Sequence, residues 1–179
     1  MEEKGYVLKG RAIDGTLNDP IANGAVVVQG EVIAWVGEQG NLPAEYNENE
    51  YEVIDLPGRS IMPGLIDGHT HISFGESRSE EENALYTPVE FRTLKAMFNA
   101  KKVLQAGVTS AFDAATTYAV AQAVRDAIAT GMFPGPRFSV SGKQITNHQG
   151  LEDSFPSEME FPPGQAAVLA KTKDDLIEA

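Results

Sequence analysis

The chain reads as an α/β protein, with an all-β segment over residues 1–61 followed by strands alternating with helices over residues 62–179. Two patterns carry that reading. Short β-branched runs between Gly, Asn, Asp and Pro fill the N-terminal third, as in a small antiparallel sheet. After Pro63, apolar runs of strand length alternate with longer segments of helical periodicity, the pattern of parallel βα units.

In order, "GYVLKGRAID" from Gly5 is the first strand candidate, and "GTLNDPIANG" follows it. "AVVVQGEVIAWVG" then holds Gln29-Gly30 between two β-rich runs, which predicts a hairpin. The acidic stretch "EQGNLPAEYNENEYE" is a solvated connection, and "VIDLPGRSIM" is another strand. In the second part, "GLIDGHTHI" is a strand, and "PVEFRTLKAMFNAKKVLQAG" is a helix with Thr87 as N-cap, Pro88 at its first position and Gly107 past its end. "VTSAFDAA" is the next strand, "TYAVAQAVRDAIATG" the next helix closed by Gly131, and "PRFSVSGKQI" the third strand. "QAAVLAKTKDDLIEA" reads as a third helix, with Lys171 and Lys173 as exposed helix charge. Phe91, Phe98 and Tyr118 fall within helical patterns and read as core.

Composition narrows the function. With 14 Lys and Arg against 26 Asp and Glu the net charge is −12, and no basic cluster occurs. Nucleic acid and anionic membrane surfaces are therefore poor partners. The absence of cysteine excludes disulfides, thiolate metal sites and cysteine nucleophiles, so a metal here would need nitrogen and oxygen ligands. The N-terminus has no signal-like apolar stretch and no apolar run spans a membrane, which makes a cytoplasmic protein the expectation.

Two of the three histidines, His69 and His71, stand two positions apart at the end of an apolar run. Alternation along a strand puts Asp67, His69 and His71 on one face, with the two Cβ atoms about 6.5 to 7 Å apart. Both rings can lean toward one ion from there. Two ligands are only half of a catalytic zinc site, which usually has three protein ligands and an open position. By spacing alone the signal is weak, and two partly exposed histidines near a turn are the favoured reading.

The surrounding text extends the reading. "GAVVVQGEVIAWVG", "VIDLPGRSIMPGLIDGHTHI", "VLQAGVTSAFDAA" and "DAIATGMFPGPRFSVSGKQIT" together resemble the N-terminal part of the amidohydrolase superfamily, and most closely its prolidase-like and imidazolonepropionase-like branch. The resemblance implies a small β-sandwich segment leading into the first three βα units of a (β/α)8 TIM barrel. It implies that His69 and His71 are metal ligands at the C-terminal mouth of the first barrel strand, binding a divalent metal, most simply one or two Zn2+ ions. Asp67 would lie deeper, as an acceptor supporting a ligand or as a partner for nearby backbone. His148 in "ITNHQG" follows the third strand; the branch often has a glycine-rich stretch ending in His-Gly there, and the match implies substrate contact, with a plain loop histidine as the alternative. Asp113 occupies the place of a family Arg-Asp pair, but Phe112 replaces the arginine, which leaves Asp113 a structural hydrogen-bonding role.

The remaining family ligands lie beyond this sequence: a bridging lysine, two later histidines and an aspartate that serves as base. The base is thus expected beyond Ala179. A complete barrel needs about 250 residues, so residues 62–179 hold an incomplete one. The expected activity of the whole is metal-dependent hydrolysis of amide or peptide C–N bonds, with an Xaa-Pro or related dipeptide as first substrate and a cyclic amide as second. Homo-oligomerisation of the intact enzyme is expected. A catalytically incomplete structural or interaction piece is the alternative, as is a small metal-binding module completed by His148 or an acidic side chain.

Overall fold

The computed structural model describes residues 5–46, 50–153, 156, 158–159 and 164–178, and the chain divides into two compact units at Pro63 and Gly64. The first holds four strands: β1 (Gly5–Ala12), β2 (Ile21–Gln29), β3 (Val32–Glu38) and β4 (Tyr51–Ile61), in the order β3-β2-β1-β4. The hairpin forms as its sequence suggests, with Gln29 opposite Val32 and Gly30 supplying a φ of 57° in the two-residue turn. Pairing is antiparallel for β1 with β2 and for β2 with β3.

β4 departs from the antiparallel expectation, because it runs parallel to β1. The polar stretch after β3 is not a hairpin loop. It carries the chain across to the far edge of the sheet, the long return that a parallel pair requires. The Asp55-Leu56-Pro57-Gly58 corner then bulges out of β4, with a register shift opposite Gly10 and Gly58 at φ 72°. Val7, Ala25, Val27 and Tyr51 form the buried core, with Trp35, Leu42, Tyr46 and Val53 packed on it. Among the described residues this unit is one mixed sheet, not two facing sheets.

In the second unit β5 (Leu65–Thr70), β6 (Val108–Asp113) and β7 (Arg137–Val140) form a parallel sheet in sequence order. Helices α1 (Val89–Gln105) and α2 (Val120–Ala129) connect them, which makes these parallel β-α units. Small residues let the layers approach closely: Ala96 and Ala100 of α1, Ala121 of α2 and Ala111 of β6 are buried with Val120, Val124, Phe138 and Ile72. Gly107 and Gly131 end the helices in the left-handed conformation, at φ 92° and 73°.

Four details correct the sequence reading. Thr87 does not cap α1; its hydroxyl donates to the Glu82 carbonyl at 3.0 Å, closing a π-helical turn over Glu82–Tyr86. The third strand breaks at Gly142 (φ 87°), so that β8 (Gln144–Thr146) leaves the sheet and pairs in parallel with β9 (Ala167–Leu169). The helix expected from Gln165 is therefore strand first, and α3 begins only at Lys173. Burial of Ala167 and backbone pairing with β8 outweigh the helical propensity of the alanines, and a capping box sets the start of α3: Asp175 N–H donates to Thr172 Oγ1 at 3.2 Å and Thr172 N–H to Asp175 Oδ2 at 2.8 Å. Finally, Phe91, Phe98 and Tyr118 are not core, being 55%, 54% and 40% exposed.

Candidate metal centre

β5 carries Asp67 and His69, and His71 lies just past its end. The Asp67 side chain turns back on its own strand and accepts the His69 N–H at 3.0 Å. The His69 and His71 rings lie with centroids 5.0 Å apart and planes at 88°, while His71 stacks on Phe74, also at 5.0 Å. The structure thus brings the two imidazoles together. His71 Nδ1 lies 3.3 Å from the Ala115 carbonyl. A carbonyl can only accept, so this contact favours the Nδ1–H tautomer and leaves the Nε2 lone pair for a ligand.

The turn that carries His71 is held from two sides. Asp113, fully buried at the end of β6, accepts the Ile72 N–H at 2.8 Å, and buried Asn99 of α1 donates to the Ile72 carbonyl at 3.2 Å. Ala114 N–H donates to the Thr70 carbonyl, and Thr117 N–H to the hydroxyl of fully buried Ser73. Burial pushes the Asp113 carboxyl up to about 6, against the opposing pull of the Ile72 N–H, the neighbouring His71 and the Ala115 N–H. Asp113 Oδ2 therefore binds backbone, while its other oxygen, Oδ1, is buried without a hydrogen-bond partner among the described residues.

His148 stands elsewhere, 56% exposed, with Nδ1 2.9 Å from Asp153 Oδ2, an oxygen that also accepts the Gln149 N–H at 2.7 Å. Among the described residues no His, Asp or Glu joins His69 and His71 as a third ligand. The pair fits half of the nitrogen and oxygen donor set of a divalent ion, with the His71 ring already oriented.

Sequence reasoning missed the polar stripe on α1. Arg92, Lys95 and Asn99 follow helical spacing and would ordinarily face water, yet all three are buried against the segment between β5 and α1. Arg92 donates through Nε to the Thr87 carbonyl (2.9 Å) and through Nη1 to the Gly164 carbonyl (2.8 Å), and Lys95 donates to Ser77. Lys102, more exposed, pairs with Glu76 at 2.6 Å. The segment following the histidines is thereby tied to α1. A second cluster joins distant loops: buried Gln165 donates to Glu80 Oε1 and to the Glu152 carbonyl, and burial together with the hydrogen bond and charge of Glu80 pushes the Glu152 carboxyl up to about 7. Separations of tens of residues left no local signal for it.

The chain is 37% identical over 79 residues to imidazolonepropionase of Streptomyces griseus subsp. griseus, covering 44% of this chain and 19% of that protein. It is 35% identical over 102 residues to imidazolonepropionase of Streptomyces avermitilis, covering 53% and 23% respectively. Among solved structures, A. niger ochratoxinase superposes with a TM-score of 0.79 at 23% identity, covering 99% of this chain and 43% of that one. A prolidase complexed with N-methylphosphonate-L-proline superposes with a TM-score of 0.73 at 25% identity, covering 94% and 41%. The chain thus spans about a fifth of the curated relatives and about two fifths of these structures. With the family's sequence match running from residue 60 to residue 178, through the histidine pair and the three parallel strands with their helices, the chain belongs to the amidohydrolase family.

Proposed function

We propose that this chain is the N-terminal part of a metal-dependent hydrolase of amide or peptide C–N bonds, in which His69 and His71 hold a divalent ion, most simply Zn2+. The observation that carries this reading is the histidine pair itself: two rings 5.0 Å apart, with His71 Nδ1 against the Ala115 carbonyl and Nε2 left for a metal. Bound there, such an ion supplies acidity to a water molecule and polarises the scissile carbonyl. The chain's own residues do the positioning. Ala115 orients the His71 ring, Asp113 and Asn99 clamp the adjoining peptide, and Asp67 ties down the backbone of His69. His148, near the end of β8, is assigned to substrate contact, held by Asp153.

The parallel sheet supports completion by further polypeptide as a (β/α)8 barrel. Ile66, 78% exposed, lies in register with Ser110, and Phe112, 39% exposed, lies in register with Ser139. That open face is where the interior of a closed barrel would be filled. The remaining metal ligands and the base belong to that polypeptide.

An Xaa-Pro dipeptide is our first substrate, supported by the superposition on the prolidase over 94% of this chain. A cyclic amide is the second, favoured by the shorter but more identical matches to imidazolonepropionases. The test is elemental analysis of chain purified without chelator beside a His69→Ala, His71→Ala double variant, followed by hydrolysis assays on Xaa-Pro dipeptides and on imidazolone propionate. Bound zinc that disappears in the double variant is expected. Zinc content identical in the two would refute the metal assignment.

A further inference from the structure

Helix α1 buries Ala96 and Ala100 completely and turns its opposite face to solvent. That outer face is not polar: Phe91, Leu94 and Phe98 are 55%, 61% and 54% exposed and repeat at i, i+3 and i+7, the spacing of an apolar seam. On one border of the seam Lys95 and Lys102 reach over the Phe91 and Phe98 rings at 5.8 and 5.4 Å. The other border carries exposed Glu90 near the start and exposed Lys101 near the end.

We propose that this face is a homodimer interface in which α1 packs antiparallel against α1 of a second copy, about a twofold axis passing between positions 95 and 96. The charge pattern selects that occupant. At about 1.5 Å of rise per residue, Glu90 and Lys101 lie about 8 Å on either side of that axis and on the same border of the seam. A perpendicular twofold keeps each border facing its own symmetry mate, so Glu90 of each copy meets Lys101 of the other, twice. Phe91 then packs beside the partner's Phe98, with both Leu94 side chains near the axis. Parallel pairing would swap the borders and turn Lys101 of each copy toward Lys102 of the other. A partner of uniform charge would complement one end and repel the other. Three apolar and two charged side chains on each copy are far fewer than the roughly 20–30 residues a side of a standard interface, so the pair exchanges at micromolar concentration.

Sedimentation equilibrium of the full chain from about 1 to 100 μM tests this, within the concentration range expected of a small interface. A monomer–dimer equilibrium is expected, abolished by Leu94→Glu, which places two carboxylates at the axis while leaving the buried face of α1 intact. Glu90→Lys alone and Lys101→Glu alone should each weaken the dimer roughly tenfold, and the double reversal should restore it. Restoration separates pairing from any loss of fold. A monomer throughout the range, a dimer indifferent to Leu94→Glu, or a double reversal that fails to recover would overturn the proposal.

Discussion

The Asp113 carboxylate accepts the backbone N–H of Ile72 at 2.8 Å, so a buried acid on β6 holds the peptide that follows His71, just past the end of the neighbouring strand. Replacing Asp113 by Leu leaves that buried N–H without its acceptor and should cost about 1 to 3 kcal/mol in urea unfolding. Asn at 113 keeps an acceptor oxygen and should cost less. Zinc affinity of the chain should fall about 10- to 100-fold in Asp113→Leu and markedly less in Asp113→Asn, measured by competition with a chromogenic chelator.

Asp113 also sets a pH dependence. Its folded carboxyl titrates at about 6, above its ordinary 3.8, so between those values the native state binds the proton more tightly than the unfolded chain. The contribution is fully present below about 4 and is lost as pH rises through 6. Metal-free chain should therefore lose on the order of 2 kcal/mol of stability from this group across that window. Asp113→Asn should flatten this part of a stability–pH profile measured by urea melts.

Gly75 abuts the Asn99 amide, and a Cβ added there would come within 2.5 Å of Asn99 Nδ2. Gly75→Ala should displace Asn99 from the Ile72 carbonyl and cost roughly 1 to 2 kcal/mol. A double-mutant cycle checks the route. In an Asn99→Ala background the same substitution should cost much less, and equal cost in both backgrounds would show that the two residues act independently.

Arg92 is 2% exposed and bonds two carbonyls, those of Thr87 and Gly164. A lysine presents one compact ammonium in place of a planar fork, so Arg92→Lys should lose one of the two carbonyls and destabilise by about 2 kcal/mol. Hydrogen exchange should then rise at the amides of residues 84–87 and 164–166.

Glu152 gives a further pH signature. Its carboxyl, pushed up to about 7 by burial and by Glu80, favours the protonated form in the folded state. That stabilisation is complete below the ordinary value of 4.5 and lost as pH rises through 7. The melting temperature should therefore fall between pH 5 and 8, and Glu152→Gln should reduce the fall.

Local chemistry accounts for what was legible in the amino-acid sequence by itself. Alternating β-branched runs marked β1 to β3, Gly30 marked the hairpin, Gly107 and Gly131 marked helix ends, and the change of periodicity at Pro63 separated all-β from βα text. The His-x-His pair was readable because residues two apart at the end of β5 stand close along the chain itself. Tertiary structure decided the remainder, because it depends on partners far apart in the chain. The direction of β4 followed from where its crossover lands, beside β1. Ala167–Leu169 became a strand because β8 lay open to pair with it. The stripe of Arg92, Lys95 and Asn99 reads as a solvent face by period and is buried because the segment after β5 folds over it. Phe91 and Phe98 read as core by residue type and lie outside, because Ala96 and Ala100 are the side chains small enough for α1 to seat closely on the sheet.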